Sequence, residues 1–166
     1  MSTLTVQPLT PAQVREFITW EYQEPYAMYN MNEEDTEAAV SFFTDPANGY
    51  FGIVNAAGSF LGFCNFGADA RVPGGNYTDT AIDIGMGMHP DLTGQGKGAS
   101  YADAVFEYAN KQFAEQPRRV TIAEFNKRAQ RLCQRFGFKI VDRFERPSDK
   151  RPFVVMLCPP SDSNTQ

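Results

Sequence analysis

At 166 residues, 42% of them hydrophobic, the chain can bury one sizeable core but not two ordinary ones. Its 14 Phe and 7 Tyr exclude disorder as an overall description, and a net charge of -5 excludes the basic footprint of a nucleic-acid binder while leaving amines and polyamines as partners. Cys64, Cys133 and Cys158 have neither a paired framework nor metal-ligand spacing, which predicts a reducing, cytoplasmic setting and no metal.

The opening MSTLTVQPLTPAQ has no basic or apolar signal region, and no apolar stretch is long enough for a membrane span, so neither is expected. Leu4 to Pro8 reads as a strand. Thr10 then serves as an N-cap with Pro11 at the first helical position, and Val14, Phe17 and Ile18 follow at helical spacing. The aromatic segment EYQEPYAMYN follows, and Glu33 to Phe43 reads as a second helix, capped at or near Asn32 and stopped by Asp45-Pro46. Tyr50 to Asn55 and Ser59 to Phe66 form a hairpin around Ala-Ala-Gly. After a Gly/Pro-rich loop, Asp69 to Asp79, Thr80 to Met88 is a strand whose Gly85 and Gly87 mark a bulge or a close approach.

Ala99 to Phe113 is a helix with Tyr101, Val105 and Tyr108 along one stripe, and Arg119 to Ala123 is a short strand. Asn126 caps the next helix, in which Ala129, Leu132, Cys133 and Phe136 face inward, Gln130 and its charged neighbours face outward, and Gly137 ends the run. Phe138 to Glu145 and Phe153 to Leu157 close the chain as an antiparallel pair. The order β-α-α-β-β-β-α-β-α-β-β predicts a single α/β domain over residues 1–160, with a frayed tail at 161–166.

Two segments carry chemistry. HPDLTGQGKGAS places glycines at 94, 96 and 98 ahead of a helix, so backbone N–H groups and the helix dipole can meet a phosphate without a Cβ in the way. A merely flexible turn is the plain alternative. EFNKRAQRLCQRFGF, taken alone, is a capped amphipathic helix.

Together they resemble the GNAT superfamily of N-acetyltransferases. In that family a strand ending in V-x-P is followed by R/Q-x-x-G-x-G/A and a helix, positions held here by Met88, Pro90, Thr93, Gly96 and Gly98. The later pattern N-x-x-A-x-x-L-Y-x-x-x-G-F matches at Asn126, Ala129, Leu132, Gly137 and Phe138, and nearly the whole chain follows the family's order. Two positions depart: Thr93 replaces an Arg or Gln near the pyrophosphate, and Cys133 replaces the Tyr often proposed as general acid. The fold implied is a central mixed, mostly antiparallel sheet flanked by about four helices and splayed at the cofactor slot, beside the strand that ends at Met88.

The resemblance implies acetyl transfer from acetyl-coenzyme A directly to a small-molecule or peptide amine, with a homodimer compatible with it. Pantetheine would run beside Met86 and Met88, the Met88 amide would polarise the thioester carbonyl, and diphosphate would sit on the amides of Gln95, Gly96, Lys97, Gly98 and Ala99, with Thr93, Gly94 and Asn126 nearby. A protonated amine of pKa about 10 is only roughly one part in a thousand free at neutral pH, so a base is needed. Asp83 takes that position, matching the family's acidic strand residue (D-I-G-M-G), with a solvent-facing strand residue as its alternative and Glu124 as a second candidate. His89 is expected on the outer side of its turn. Cys133 is either an acid for the departing thiolate or a core residue. Trp20, Tyr22, Tyr26 and Tyr29 would shape the acceptor pocket, with ordinary core and rim packing as their alternative. A coenzyme-A-binding sensor without catalysis is the competing reading.

Overall fold

A computed structural model describes residues 3–160, and the tail expected at 161–166 lies outside them. In chain order the elements are β1 (Thr5–Pro8), α1 (Pro11–Phe17), α2 (Thr36–Thr44), β2 (Tyr50–Val54), β3 (Phe60–Phe66), β4 (Ile82–Met88), α3 (Gly98–Gln112), β5 (Arg118–Ala123), α4 (Lys127–Arg135), β6 (Lys139–Glu145) and β7 (Pro152–Cys158). This is the expected succession, with short 3-10 turns added. The strands lie in the order β1-β2-β3-β4-β5-β7-β6. Pairs β1–β2, β2–β3, β5–β7 and β6–β7 are antiparallel, whereas β4 and β5 are parallel. That parallel ladder registers Ile82 with Arg118 and Asp83 with Arg119 among the described residues.

Local chemistry explains the helix starts. Thr10 accepts from the Gln13 N–H while the Gln13 side chain accepts from the Thr10 N–H, a reciprocal capping box behind Pro11. The second helix is capped by Asp35 rather than Asn32: its carboxylate accepts from the Ala38 N–H, and a negative charge at that end also suits the helix dipole. On α4, Asn126 accepts from the Ala129 N–H as expected, and Gly137 takes the left-handed backbone (φ 96°) that ends the helix. Gln130 departs from its expected outward face. It is buried, and its amide donates to the carbonyls of Ala123 and Glu124 at the end of β5, satisfying groups that burial would otherwise orphan.

The chain forms two compact units, one from residues up to Asn65 together with Met86–Ala104, the other from Phe66–Gly85 together with the residues from Val105 on. The first has an aromatic core. Phe17 stacks on Phe63 at 4.7 Å and meets Phe43 edge-on at 4.9 Å, with Leu9, Val14, Ile18 and Trp20 buried around them. In the second, Phe106 sits 5.2 Å from Phe136 and 4.9 Å from Phe138, and Val120, Val154 and Met156 are buried.

Candidate active site

The glycine-rich turn between β4 and α3 keeps its side chains to itself. Thr93 donates its hydroxyl to the Pro90 carbonyl at 2.8 Å, and the Gln95 amide donates to the Asp91 carbonyl. Gly94 and Gly96 both adopt φ 74°, and Gly94 to Lys97 are exposed. A Cβ built on Gly96 would meet nothing within 4 Å. The main chain is therefore uncovered where the first N–H groups of a 15-residue helix lack intrahelical partners. Such a cradle can take an anion of phosphate size, and its donors are backbone amides rather than the Thr93 side chain.

The end of β4 is gripped by two tyrosines. Tyr22 donates to the Met88 carbonyl at 2.8 Å, bringing together a residue expected at the acceptor and one expected at the cofactor. Burial pushes the Tyr22 hydroxyl up to about 12, so it stays protonated and donating. Tyr101 donates to the Gly87 carbonyl at 2.6 Å. Sequence reasoning placed Tyr101 only on a core stripe; the overlooked signal is a hydroxyl one turn into the helix that follows the glycine turn. At Gly87 the close approach is the Phe63 ring, 2.4 Å from where a Cβ would sit.

The other expected acceptor residues divide. Trp20 is a core residue, packed on Phe60 at 5.4 Å and on His89 at 4.9 Å. Tyr26 and Tyr29 stack on each other at 6.5 Å within one 3-10 turn. His89 does not lie on the outer side as expected. Its ring is half-buried against Trp20, and Nδ1 accepts from the Asp91 N–H, so the neutral ring carries its proton on Nε2.

The expected proton carriers are otherwise engaged. Asp83 is 2% exposed rather than solvent-facing. Its Oδ1 accepts from Arg119 Nε at 2.6 Å and its Oδ2 from an Arg119 terminal nitrogen at 2.8 Å, while Arg71 Nε also reaches Oδ2 at 2.8 Å. Both carboxylate oxygens are thus taken up by charge-assisted hydrogen bonds to two guanidiniums. Glu124 is paired with Arg143, which lowers its affinity for a proton. Cys133 is buried, and burial pushes its thiol up from 9.0 to about 12. Asn126 serves as the α4 cap. Among the described residues no three His, Cys, Asp or Glu side chains form a metal-holding group, and no helix is long and apolar enough to cross a membrane.

Residues 3–139 match the family model described as Acetyltransferase (GNAT) domain. No curated protein matches the chain. Solved structures do: a spermidine N-acetyltransferase chimera from Vibrio cholerae and hSSAT is 16% identical over 95% of both chains, with a TM-score of 0.74. A GNAT-family acetyltransferase from Bacillus anthracis is 12% identical over 95% of both, at 0.72. A GnaT-family acetyltransferase from Bordetella pertussis is 18% identical over 93% of this chain and 95% of its own, at 0.69. At these identities the likeness is one of fold.

Proposed function

The chain belongs to the GNAT acetyltransferase domain family, and from that premise we propose that it transfers an acetyl group from acetyl-coenzyme A directly to a primary amine. The observation that carries this reading is the uncovered main chain at Gly94 and Gly96 ahead of α3. Amides from Gln95 to Ala99 would hold the diphosphate, with Met86 and Met88 beside the pantetheine arm. The bound cofactor supplies an activated thioester. The Met88 N–H donates to the acyl oxygen, where negative charge grows as the amine attacks.

Asp83, Glu124 and Cys133 are committed elsewhere, so we assign the chain's contribution to orientation and carbonyl polarisation. The ammonium proton would leave to water before attack, and as the C–N bond forms and the C–S bond breaks the second nitrogen proton would pass through solvent to the departing thiolate, releasing coenzyme A as the thiol. Asp83 becomes a structural anchor and Cys133 a packing residue. Glu21, Glu24, Glu33, Glu34, Asp35 and Glu37 crowd one segment next to Tyr22, and the overall charge is -5, which favours a cationic acceptor. A polyamine is the first to test, spermidine being named for the Vibrio cholerae neighbour. The reading treats residues 1–160 as one catalytic domain working in the cytoplasm, where three free cysteines stay reduced.

One observation favours the second reading, a coenzyme-A-binding sensor: no expected acid or base is free to move a proton. The test incubates the protein with acetyl-coenzyme A and, in turn, spermidine, a lysine peptide and a peptide with a free N-terminus. Thiol release and melting temperature are followed together. Release with any amine supports transfer. A thermal upshift with no release on any acceptor supports the sensor, and no upshift at all removes both.

A further inference from the structure

Tyr101 stands four residues into α3, and its own N–H bonds to the Lys97 carbonyl at the head of the helix. From there its hydroxyl reaches the Gly87 carbonyl at 2.6 Å. The path is open only because residue 62 is glycine: a Cβ there would lie 1.5 Å from the Tyr101 hydroxyl and 2.3 Å from the Gly87 oxygen. A helix residue, a strand glycine and a strand carbonyl are thus fitted to one hydrogen bond. Tyr101 is 3% exposed, and burial, with Cys64 and Tyr22 nearby, holds its hydroxyl well above the usual range, so it remains a donor at any working pH.

The Gly87 carbonyl and the Met88 N–H are two ends of one planar trans amide and point in opposite directions. A hydrogen bond accepted at the oxygen draws electron density from the nitrogen and strengthens the N–H as a donor. In condensed phase such cooperativity is worth about 10–30% per bond. Tyr22 fixes the next carbonyl, that of Met88, at 2.8 Å.

We infer that Tyr101 is a positioning residue that aims and strengthens the Met88 N–H as the acyl-oxygen donor, and ties that donor to the phosphate-binding turn on which α3 begins. This rests on the acetyl-transfer reading above. It adds a residue that touches neither the diphosphate nor the amine, acting through one peptide bond.

The test uses acetyl-coenzyme A carrying 13C at the acetyl carbonyl and reads the thioester stretch by isotope-edited infrared difference spectroscopy, with no acceptor present. Bound to the wild-type chain, the band moves to lower frequency. In Tyr101→Phe about a quarter or more of that movement is lost. Calorimetric affinity for coenzyme A without an acyl group stays within about twofold, since the phosphate-binding amides are intact. With 3-fluorotyrosine in place of Tyr101, a stronger donor of almost the same shape, the movement exceeds wild type. That protein also keeps the inference testable should the Phe variant fail to fold. An unchanged band in Tyr101→Phe, no response to fluorination, or affinity falling in step with the band would overturn the inference alone. A wild-type chain that binds no acetyl-coenzyme A removes the parent reading with it.

Discussion

Asp83 and Arg119 face each other through two hydrogen bonds, at 2.6 and 2.8 Å, at the last rung of the β4–β5 ladder. Both are almost fully buried. The Arg119 guanidinium also lies over the Tyr77 ring at 4.9 Å and donates to the Asp79 carbonyl, so the ion pair fastens the 69–79 loop as well. Arg71 joins from a partly exposed position and adds less, because solvent screens it.

An anchor and a catalytic base respond differently to the same substitution. Asp83→Asn leaves Arg119 buried without its counter-charge and should cost about 3 kcal/mol or more of stability. Where the variant is still folded, the pH dependence of turnover should keep its wild-type form. Asp83→Leu combined with Arg119→Met, which removes both charges, should recover much of the loss. Thermal melts on wild type and the two variants and one pH–rate profile check this; a selective loss of the acidic limb, the one a general base titrates, would restore Asp83 as a base.

What the sequence disclosed was local. The α4 segment was legible because its cap, inward stripe and terminal glycine lie within a dozen residues, and the glycine turn was legible for the same reason. The relationships that define the site span long separations: Asp83 to Arg119 is 36 residues and Tyr22 to Met88 is 66. No periodicity reports them. Gln130 shows the complementary failure: a polar residue at an apparently polar helix position is drawn inside by two strand-end carbonyls that only the fold brings to it. Likewise the cap expected at or near Asn32 falls on Asp35, whose charge suits the helix terminus.

The phosphate cradle can be tested without disturbing the backbone. Gly96 has φ 74°, a conformation that Asn and Asp tolerate better than other residues, and a side chain there enters open space. Gly96→Asn and Gly96→Asp should therefore both fold, at a cost of about 1 kcal/mol. They differ by one negative charge beside the expected diphosphate. Calorimetry should show the Asp variant binding acetyl-coenzyme A at least about tenfold more weakly than the Asn variant. Equal affinities would place the phosphates elsewhere.

Tyr22 gives a prediction at alkaline pH. Its hydroxyl titrates at about 12 in the folded chain against 10.0 for an unperturbed tyrosine, because burial disfavours the phenolate. A group whose folded value is raised contributes stability that is complete below 10 and lost as pH climbs towards 12. Tyr22→Phe should be less stable than wild type at pH 8 for want of the bond to Met88, yet decline less steeply between pH 10 and 12. Denaturant melts across that window would show parallel curves if the hydroxyl played no such part.

Cys133 stands where the family has a tyrosine, and two roles for it make opposite predictions. As an acid it would have to surrender its proton to a departing thiolate, but a buried thiol raised from 9.0 to about 12 holds its proton more tightly than an unburied thiol would. The transfer would run uphill. As a packing residue it need only fill its place on the inner face of α4, where it is 4% exposed. Cys133→Ala should then cost on the order of 1 kcal/mol of stability and leave turnover within about twofold of wild type. The pH dependence follows the same sign as for Tyr22: the thiol's contribution is complete below its unfolded value near 9.0 and disappears as pH approaches 12, so the Ala variant should lose less stability across that interval. In the native protein at pH 8, iodoacetamide should label Cys133 far more slowly than in urea, with mass spectrometry assigning the site. A loss of turnover beyond about tenfold in Cys133→Ala, with an unchanged melting temperature, would return the acid role to this position.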